Sequence, residues 1–427
     1  MSLQANGQTN RTLPSADLGW NTPGVASVPY KFFYDQEVYE VEQRRLFRGP
    51  IWNYIVLESE IPNPGDFKAN FVGDTPIVVS RGRDGAIHAF VNRCAHRGAL
   101  VCREMRGNST THVCIYHQWS YDLEGNLIGV PFRRGLEGKG GYAAGFETAH
   151  HGLQKLRTAC YAGLVFATFD AQTPPLVDYL GDVARSWIDR TLNRPVRALG
   201  YSRQLIDANW KLYAENVRDP YHGSLLHLFN ATFGIARVSQ QGGLSMDPSG
   251  GHNVIYARKR TQEQEIRAYS QEKIRSYQKT FSLADPSLLQ GKPDPLIDTT
   301  TTIQTIFPVL VIQQIANSLA VRQIVPKGPS RMELVSTFFT YADDDQATVN
   351  TRLKQANLAG PAGYISMEDG YAIELVQQAI VHAGDEESFI ELGGTERPLE
   401  DDLVSESPIR GFWHHYRGLM TEERHGD

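Results

Sequence analysis

The sequence predicts an α+β protein in which an all-β domain precedes a larger domain of strands and helices. Strand signals dominate residues 51–170, a Pro-containing linker follows at 171–175, and longer helical segments come after it. The 427 residues give room for two domains and a large core. We therefore expect a first domain at 51–170 and a second at 171–427.

Two further segments are expected ahead of the first domain. Residues 1–28 are rich in Ser, Asn, Gly and Pro and lack the apolar core of a signal peptide, which predicts a flexible arm. Residues 29–50 predict a helix that packs on the second domain. Within the first domain, residues 77–80 and 87–91 flank the turn Arg83-Asp84-Gly85, a pattern typical of a β-hairpin.

The second domain combines both kinds of element. Helices are expected at 177–192, 210–217, 367–381 and 409–420, and strands at 196–206, 303–314, 318–325 and 332–341. Residues 240–302 are polar and charge-rich, so we expect a variable insertion there, with one helix at 263–281.

Composition excludes several classes of protein. The net charge of −6 offers no basic field to attract nucleic acid or anionic lipid. No apolar run is long enough to span a bilayer. Four cysteines, Cys94, Cys102, Cys114 and Cys160, are too few for a secreted disulfide scaffold of this length. A cytoplasmic metalloprotein is the class that fits.

The most informative motif is Cys94-Ala95-His96 followed by Cys114-Ile115-Tyr116-His117. Each pair is short enough to lie on one loop, at the tip of a predicted hairpin. Two thiolates and two imidazoles can hold a structural zinc ion, or a [2Fe–2S] cluster in which two His replace two Cys on one iron. Taken alone, this motif leaves both metals open.

A second group of metal-ligand residues occupies 209–227. Asp219 is a good N-cap, and Pro220 would then take the first helical position. His222 and His227 would point about 140° apart on an ideal helix, so a shared metal requires an irregular helix or a site at its end. Two His also need a carboxylate to form the facial triad of a non-haem Fe(II) site. Glu368, Asp369 and Glu374 are candidates, although Ser366-x-x-Asp369 also has the spacing of a capping box.

Together, the two groups resemble the motifs of the large (alpha) subunits of Rieske non-haem iron ring-hydroxylating oxygenases. The likeness extends from Trp52-Asn53-Tyr54 to Phe412-Trp413, which is nearly the whole chain. It implies an N-terminal all-β Rieske [2Fe–2S] domain and a C-terminal catalytic domain, an antiparallel sheet with flanking helices of the helix-grip type.

The resemblance also implies roles for individual residues. Cys94 and Cys114 would bind one iron of the cluster, and His96 and His117 the other. His222, His227 and Asp369 would bind the mononuclear Fe(II), with Glu368 kept open as the alternative acid. Asn216 would line the iron pocket. Asp219 would link His222 to a cluster His of a neighbouring subunit, which requires a ring of subunits, usually a trimer.

Within the family, the likeness is to members that act on benzoates. It is carried by segments such as 92–98, 129–135 and 312–314. A carboxylate substrate needs a bidentate cation, and Arg322 and Arg410 are the nominees. The best guess for the substrate is an ortho-substituted benzoate of the anthranilate or salicylate type, and the alternative is a terephthalate-type dicarboxylate.

The expected activity is that of a terminal oxygenase, a dioxygenase or a monooxygenase, that uses O₂ to hydroxylate an aromatic ring. Electrons would come from an NADH-dependent reductase or a ferredoxin, and a small β subunit would complete an α₃β₃ assembly in place of α₃. The competing hypotheses are a Rieske electron carrier without catalysis and a structural-zinc binding protein. The large second domain argues against the electron carrier, which needs only about 120 residues.

Overall fold

The structure is a computed structural model that describes residues 19–20, 22–258, 262–292, 294, 299–359, 364–397 and 403–421. It begins with a 3₁₀ turn at Tyr30–Phe33, helix α1 at Gln36–Glu42 and a π-helical turn at Gln43–Phe47. Asp35 begins α1, because its carboxylate accepts hydrogen bonds from the N–H groups of Glu37 and Val38.

The following region is all β, as predicted. Its strands are β1 Asn53–Leu57, β2 Asp66–Val72, β3 Thr75–Arg81, β4 Ile87–Val91, β5 Arg106–Asn108, β6 His112–Val113, β7 Ser120–Tyr121, β8 Leu127–Gly129, β9 Lys155–Tyr161 and β10 Leu164–Thr168. Seven of them form an antiparallel sheet in the order β1-β10-β9-β4-β3-β2-β5. The remaining three form the small sheet β6-β7-β8.

A second seven-stranded antiparallel sheet forms the centre of the C-terminal region, in the order β11-β17-β16-β15-β14-β13-β12. The elements are α2 Leu176–Thr191, β11 Val196–Ile206, α3 Trp210–Asn216, α4 His222–Leu225, α5 Leu228–Phe233, β12 Gln241–Met246, β13 Asn253–Arg258, α6 Gln262–Gln271, β14 Thr301–Ile306, β15 Leu310–Ile315, β16 Ser318–Pro326, β17 Met332–Tyr341, α7 Gln346–Ala359, α8 Ile365–Ile380 and α9 Ser407–Thr421. Every residue of β16 is buried, so it is a central strand.

The structure differs from the sequence-based expectation in the supposed insertion. Residues 240–302 contain the strands β12 and β13, and α6 ends at Gln271, well before residue 281. The single strand expected at 303–314 is two strands, β14 and β15, joined at Phe307-Pro308. The two misreadings have different causes. β12 is an edge strand of Gly and polar residues, so it lacks an apolar run. β14 and β15 were read as one strand because apolar residues continue through the turn that joins them.

The N-terminal segment packs on the last helix and on α3. Trp20 lies 5.5 Å from Trp413 between ring centroids, and Val25 and Val28 are buried. Residues 22–28 thus make apolar contacts within the segment predicted as a flexible arm, and the extent of that arm stays a prediction. Residues 1–18 and 21 lie outside the described part of the chain.

Two buried networks join the regions. Glu42 of the N-terminal segment forms an ion pair with Lys211 at 2.5 Å and also accepts hydrogen bonds from Trp210 and Tyr416. Side chains of β1 and β10 share a hydrophobic cluster with side chains of β15 and β17. The two sheets are thereby fixed against each other, and the division at residues 170 and 171 stays a prediction. Among the described helices, none is long and apolar enough to cross a membrane.

Candidate active site

The first pair of ligand-type residues lies on the connection from β4 to β5, and the second on the turn from β6 to β7. The two loops have the same hydrogen-bond pattern. Cys94 N–H donates to the carbonyl of Ala99, and Cys114 N–H donates to that of Trp119. Only the second loop is a hairpin tip, because β4 and β5 are not neighbours in the sheet. The expectation of a hairpin for both loops was half right.

The four side chains suit a [2Fe–2S] cluster. Cys94 and Cys114 are buried free thiols in one hydrophobic cluster, and the rings of His96 and His117 lie 4.6 Å apart between centroids. Burial, together with the charges of His117 and Arg97, lowers the pKa of His96, which favours the neutral imidazole that a metal ligand requires. Trp119 stacks on His96 at 4.8 Å and fixes the ring plane.

Tyr121 supports the first thiolate position. Its hydroxyl lies 3.3 Å from Cys94 Sγ and accepts a hydrogen bond from the N–H of Ala95. A hydroxyl near a ligating sulfur lowers the electron density on that sulfur and so tunes a cluster. No sequence pattern singled out Tyr121, since it lies on β7, 27 residues after Cys94.

The second group of residues begins with a broken helix. α4 starts at His222 and ends at Leu225, and His227 is the extended residue that precedes α5, with φ −85° and ψ 99°. The break removes the divergence of about 140° that a continuous helix would impose. Both imidazoles therefore turn toward the same point, and their ring centroids are 5.4 Å apart.

Asp369, on α8, completes this arrangement. Its Oδ1 atom lies 3.3 Å from His222 Nε2 and 3.1 Å from His227 Nε2, and the three potential ligand atoms lie within 4.8 Å of one another. The competing interpretation of Asp369 as a helix cap does not hold. Ser366 is inside α8, where its hydroxyl donates to Gln204 Oε1, and Tyr364 is the N-cap.

The other acid of the pair has a different place. Glu368 Oε2 accepts a hydrogen bond of 2.7 Å from His227 Nδ1, which leaves Nε2 directed at Asp369. A carboxylate on the far nitrogen fixes the tautomer and orientation of a metal-binding His. The geometry thus favours Asp369 as ligand and Glu368 as the support of His227. Glu374 instead accepts a hydrogen bond from the N–H of Asp207. The segment 360–363, which helped to identify this region in the sequence, lies outside the described residues.

Asp219 and Asn216 surround His222. Asp219 accepts hydrogen bonds from the N–H groups of Tyr221 and His222, and its other oxygen lies 3.4 Å from His222 Nδ1. Asn216 Nδ2 donates to Asp369 Oδ1 and lies 3.3 Å from His222 Nε2. Asp219 thus acts both as the cap of the turn before α4 and as a partner of a ligand-type His.

The acidic and basic side chains of this group shift one another's pKa values toward the charged forms. Burial lowers the pKa of His222, but hydrogen bonds to Asp219 and Asp369 outweigh it and raise the pKa to about 10. Burial likewise opposes the ionised form of Asp369, yet its contacts with His222 and His227 hold the pKa of that carboxyl far below its usual range. The carboxylate that holds protons on these imidazoles would pair equally with a divalent cation that displaces them, so the residues fit a divalent iron.

A cavity opens beside these residues. The described residues around it enclose about 120 Å³ and include Asn216, His222, His227, Asp369 and Arg322, with apolar walls from Ile255, Ile303, Ile315 and Leu403. An apolar cavity of roughly 150 Å³ holds benzene. The enclosed space is therefore of the same order as one aromatic ring.

The two candidate substrate arginines differ. Arg322, on β16, is buried, lines the cavity and donates to the hydroxyl of Tyr213 at 2.9 Å. Arg410 is also buried, but its guanidinium donates to the carbonyls of Ile390, Leu392 and Glu396, and it is not among the residues that line the cavity. Backbone carbonyls engage Arg410 away from the cavity lining, so the structure favours Arg322, and the contact of Arg410 with substrate stays a prediction. Sequence reasoning missed Tyr213, which follows no recognisable motif.

Comparisons with known proteins agree with this geometry. Residues 51–139 match the Rieske [2Fe-2S] domain, and residues 180–422 match the ring hydroxylating alpha subunit (catalytic domain). The chain is 53% identical to the large subunit of anthranilate 1,2-dioxygenase from Burkholderia cepacia, over 95% of this chain and 96% of that one. It is 45% identical to the alpha 2 subunit of the terminal oxygenase component of terephthalate 1,2-dioxygenase from Comamonas sp., over 95% and 98%.

Two further similarities complete the comparison. The large oxygenase component of salicylate 5-hydroxylase from Ralstonia sp. is 40% identical over 95% of this chain and 97% of that one. The crystal structure of naphthalene 1,2-dioxygenase from Rhodococcus sp. bound to indole superimposes with a TM-score of 0.77 at 25% identity, over 95% and 96% of the two chains. The fold predicted from the sequence is thereby confirmed.

The matched domains and relatives show which cofactors this chain uses: a Rieske [2Fe–2S] cluster and a mononuclear iron. The same matches exclude the zinc-protein and simple electron-carrier hypotheses, since the catalytic domain is present. The chain belongs to the alpha subunits of the Rieske ring-hydroxylating oxygenases.

Proposed function

We propose that this oxygenase subunit hydroxylates the ring of an aromatic carboxylate, with an ortho-substituted benzoate of the anthranilate or salicylate type as the best candidate. The single observation that carries the proposal is Arg322. Arg322 is buried, and it lines the same cavity as His222, His227 and Asp369. A terephthalate-type dicarboxylate is the second candidate, since the alpha 2 subunit of terephthalate 1,2-dioxygenase is also a relative.

We assign the cofactors to the residues whose geometry suits them. Cys94, His96, Cys114 and His117 hold the [2Fe–2S] cluster, and His222, His227 and Asp369 hold the mononuclear iron. When bound, the cluster would supply electrons one at a time, and the iron would supply a site for O₂ beside the ring. Glu368 holds the imidazole of His227, and Asn216 holds the carboxylate of Asp369.

The carboxylate argument rests on the cost of burial. An ionised carboxylate in a largely apolar cavity costs several kcal/mol unless a cation faces it, roughly the effective penalty per buried ion. Arg322 offers a planar fork of donors that matches two carboxylate oxygens. The apolar wall opposite then accepts the ring itself, so the acid group sets the orientation of the ring toward the iron-binding residues.

Members of this family are terminal oxygenase components that work with a reductase or ferredoxin, and they are typically multimeric. We propose that this subunit receives electrons that originate in NADH, works in the cytoplasm and assembles as a trimeric ring. Either α₃ or α₃β₃ with a small β subunit would fit. In that ring, Asp219 would face the cluster histidines of the neighbouring subunit while it holds His222.

The proposal is tested by substitution of the guanidinium. Arg322→Ala should lower kcat/KM for benzoates by about 30-fold or more, because loss of one partner of a buried charge pair costs roughly 2–5 kcal/mol. The iron content and the cluster spectrum should not change. Turnover of a benzoate panel, scored by product analysis, measures this effect.

Arg331→Ala is the matched control. Its guanidinium pairs with Asp207, is more than half exposed and does not line the cavity, so activity should be preserved. The carboxylate proposal is overturned if Arg322→Ala oxidises benzoates at wild-type efficiency. It is also overturned if the wild type prefers an uncharged arene such as naphthalene to every benzoate tested.

A further inference from the structure

One face of the large sheet lines the cavity and carries polar side chains. Residues next to them on the same strand point to the opposite face, where the polar side chains have their hydrogen bonds satisfied. On β15, Gln314 accepts hydrogen bonds from Thr299 and Thr302 and donates to the carbonyls of Thr299 and Ala316. The adjacent Gln313 points to the opposite, cavity-lining face, because successive side chains alternate along a strand. Its Nε2 has no hydrogen-bond partner within the described part of the chain.

Asn230 shows the same feature on the other side of the cavity. It lies on α5, is 4% exposed and lines the cavity. Its Nδ2 donates to the carbonyl of Gly223 at 2.9 Å, which fixes the orientation of the amide. The remaining atom, Oδ1, is a buried acceptor that has no partner among the described residues.

A buried amide atom without a partner costs free energy, and a ligand that completes the bond recovers it. Asn230 Oδ1 can only accept a hydrogen bond, and Gln313 Nε2 can only donate one. Gln313 and Arg322 also lie together: Arg322 pairs with Val311, two residues before Gln313, so the two side chains share one sheet face as diagonal neighbours. Such neighbours are roughly 7–8 Å apart, close enough for one carboxylate to contact both.

We propose that Asn230 is a specificity-determining residue that accepts a hydrogen bond from an amino or hydroxyl substituent of the substrate ring, while Gln313 donates to the carboxylate beside Arg322. This inference rests on the proposed function, since it presupposes a benzoate in the cavity. It narrows the substrate class to aminobenzoates and hydroxybenzoates. An aromatic acid without a ring substituent that donates a hydrogen bond leaves Asn230 Oδ1 unsatisfied, and the cavity then discriminates against it.

The first test uses the wild-type iron-loaded protein without oxygen. Isothermal titration calorimetry compares the three aminobenzoate isomers with the three methylbenzoates, in which a methyl group of similar size replaces the amino group. At least one aminobenzoate should bind about tenfold or more tightly than its methyl counterpart, because only the amino group can donate to Asn230. If every pair binds equally, the inference is wrong.

The second test compares two substitutions of similar volume. Asn230→Leu should weaken binding of the preferred aminobenzoate by about tenfold or more and change binding of unsubstituted benzoate by less than about twofold. Gln313→Leu should weaken binding of both acids by the same factor. The cluster absorption and the iron content check that each variant is folded, and the wild-type comparison stands by itself if either variant is not.

The outcomes separate this inference from the proposed function. If the wild type binds no benzoate, the carboxylate proposal fails. If benzoates bind and depend on Arg322, but Asn230→Leu weakens benzoate and aminobenzoate equally, then Asn230 only shapes the cavity and the inference alone is overturned. The selective loss with Asn230→Leu, against the uniform loss with Gln313→Leu, supports it.

Discussion

The candidate cluster site and the candidate iron site each bring together a few metal ligands, but they differ in how far apart those ligands lie along the chain. The cluster residues lie between positions 94 and 117, on two loops with matching hydrogen-bond patterns at the exposed edge of a small domain. The iron residues lie between positions 222 and 369, on a broken helix and a distant long helix, and Asp369 and His227 are buried. The first site depends mainly on local turns, and the second depends on how α8 packs against α3 and α4.

The difference has a functional consequence. A site made by two exposed loops presents its His ligands near the surface, where an electron donor can approach. A site made by packed helices lies deeper in the protein and borders the cavity in which we propose that substrate binds. If this contrast is correct, a substitution at one site should abolish metal binding there while the other site keeps its metal.

The largest effect is expected at the cluster. Cys94→Ser or Cys114→Ser should abolish the Rieske absorption and electron paramagnetic resonance signals and all turnover, because a hydroxyl is a poor replacement for the soft thiolate donor. Mononuclear iron should still bind. Cys160→Ser is the control, since Cys160 is an exposed free thiol. A normal cluster signal in the Cys94 or Cys114 variant would remove these residues from the ligand set.

Asp369→Ala provides the reciprocal experiment. It should empty the mononuclear site and stop turnover while the cluster spectrum stays intact, because the carboxylate between His222 and His227 is lost. Metal analysis together with the visible spectrum measures both sites in one sample. Loss of the cluster as well would show that the two sites are coupled through folding, and the comparison would break.

Asp219→Asn tests the residue that we propose links the two sites. Asn retains the ability to cap the turn before α4, so both metals should remain bound. Activity should fall by roughly 10–100-fold, the range for loss of a partner that supports a metal ligand. The measurements are metal content and single-turnover rate with a chemically reduced cluster. Iron content as low as that of His222→Ala would instead assign Asp219 to the ligand set.

The smallest effect is expected for Glu368. Glu368→Ala should weaken iron binding by about tenfold, since His227 keeps its coordinating nitrogen but loses the support of Nδ1. Glu368→Gln, which retains an oxygen acceptor, should recover most of that affinity. Titration of the iron-free protein with Fe(II) gives the values. A complete loss of iron in Glu368→Ala, with iron retained in Asp369→Ala, would exchange the roles of the two acids.

Several features were readable from sequence because they are local. The pairs Cys94–His96 and Cys114–His117 lie on single loops, so spacing alone grouped them, and the family resemblance then identified the cofactors. The all-β character of residues 51–170 and the helices α3, α8 and α9 followed from periodicity. The surroundings of Arg410 could not be read in this way, since they are the carbonyls of residues 390–396, which no periodicity predicts.

By itself, the sequence predicted the two sets of candidate metal ligands, because their chemistry and short spacings can be read along the chain. The order of the two domains and the oxygenase class followed from the family resemblance that those motifs carry. Only the tertiary structure favours Asp369 over Glu368 as the candidate ligand, because the two acids are adjacent in sequence but make different contacts on the same helix. It also decided that Arg322 and not Arg410 lines the cavity, and that Asn230 and Gln313 face it. These outcomes depend on which surfaces α5, α8 and the large sheet turn toward one another, and that is set by packing between elements distant along the chain.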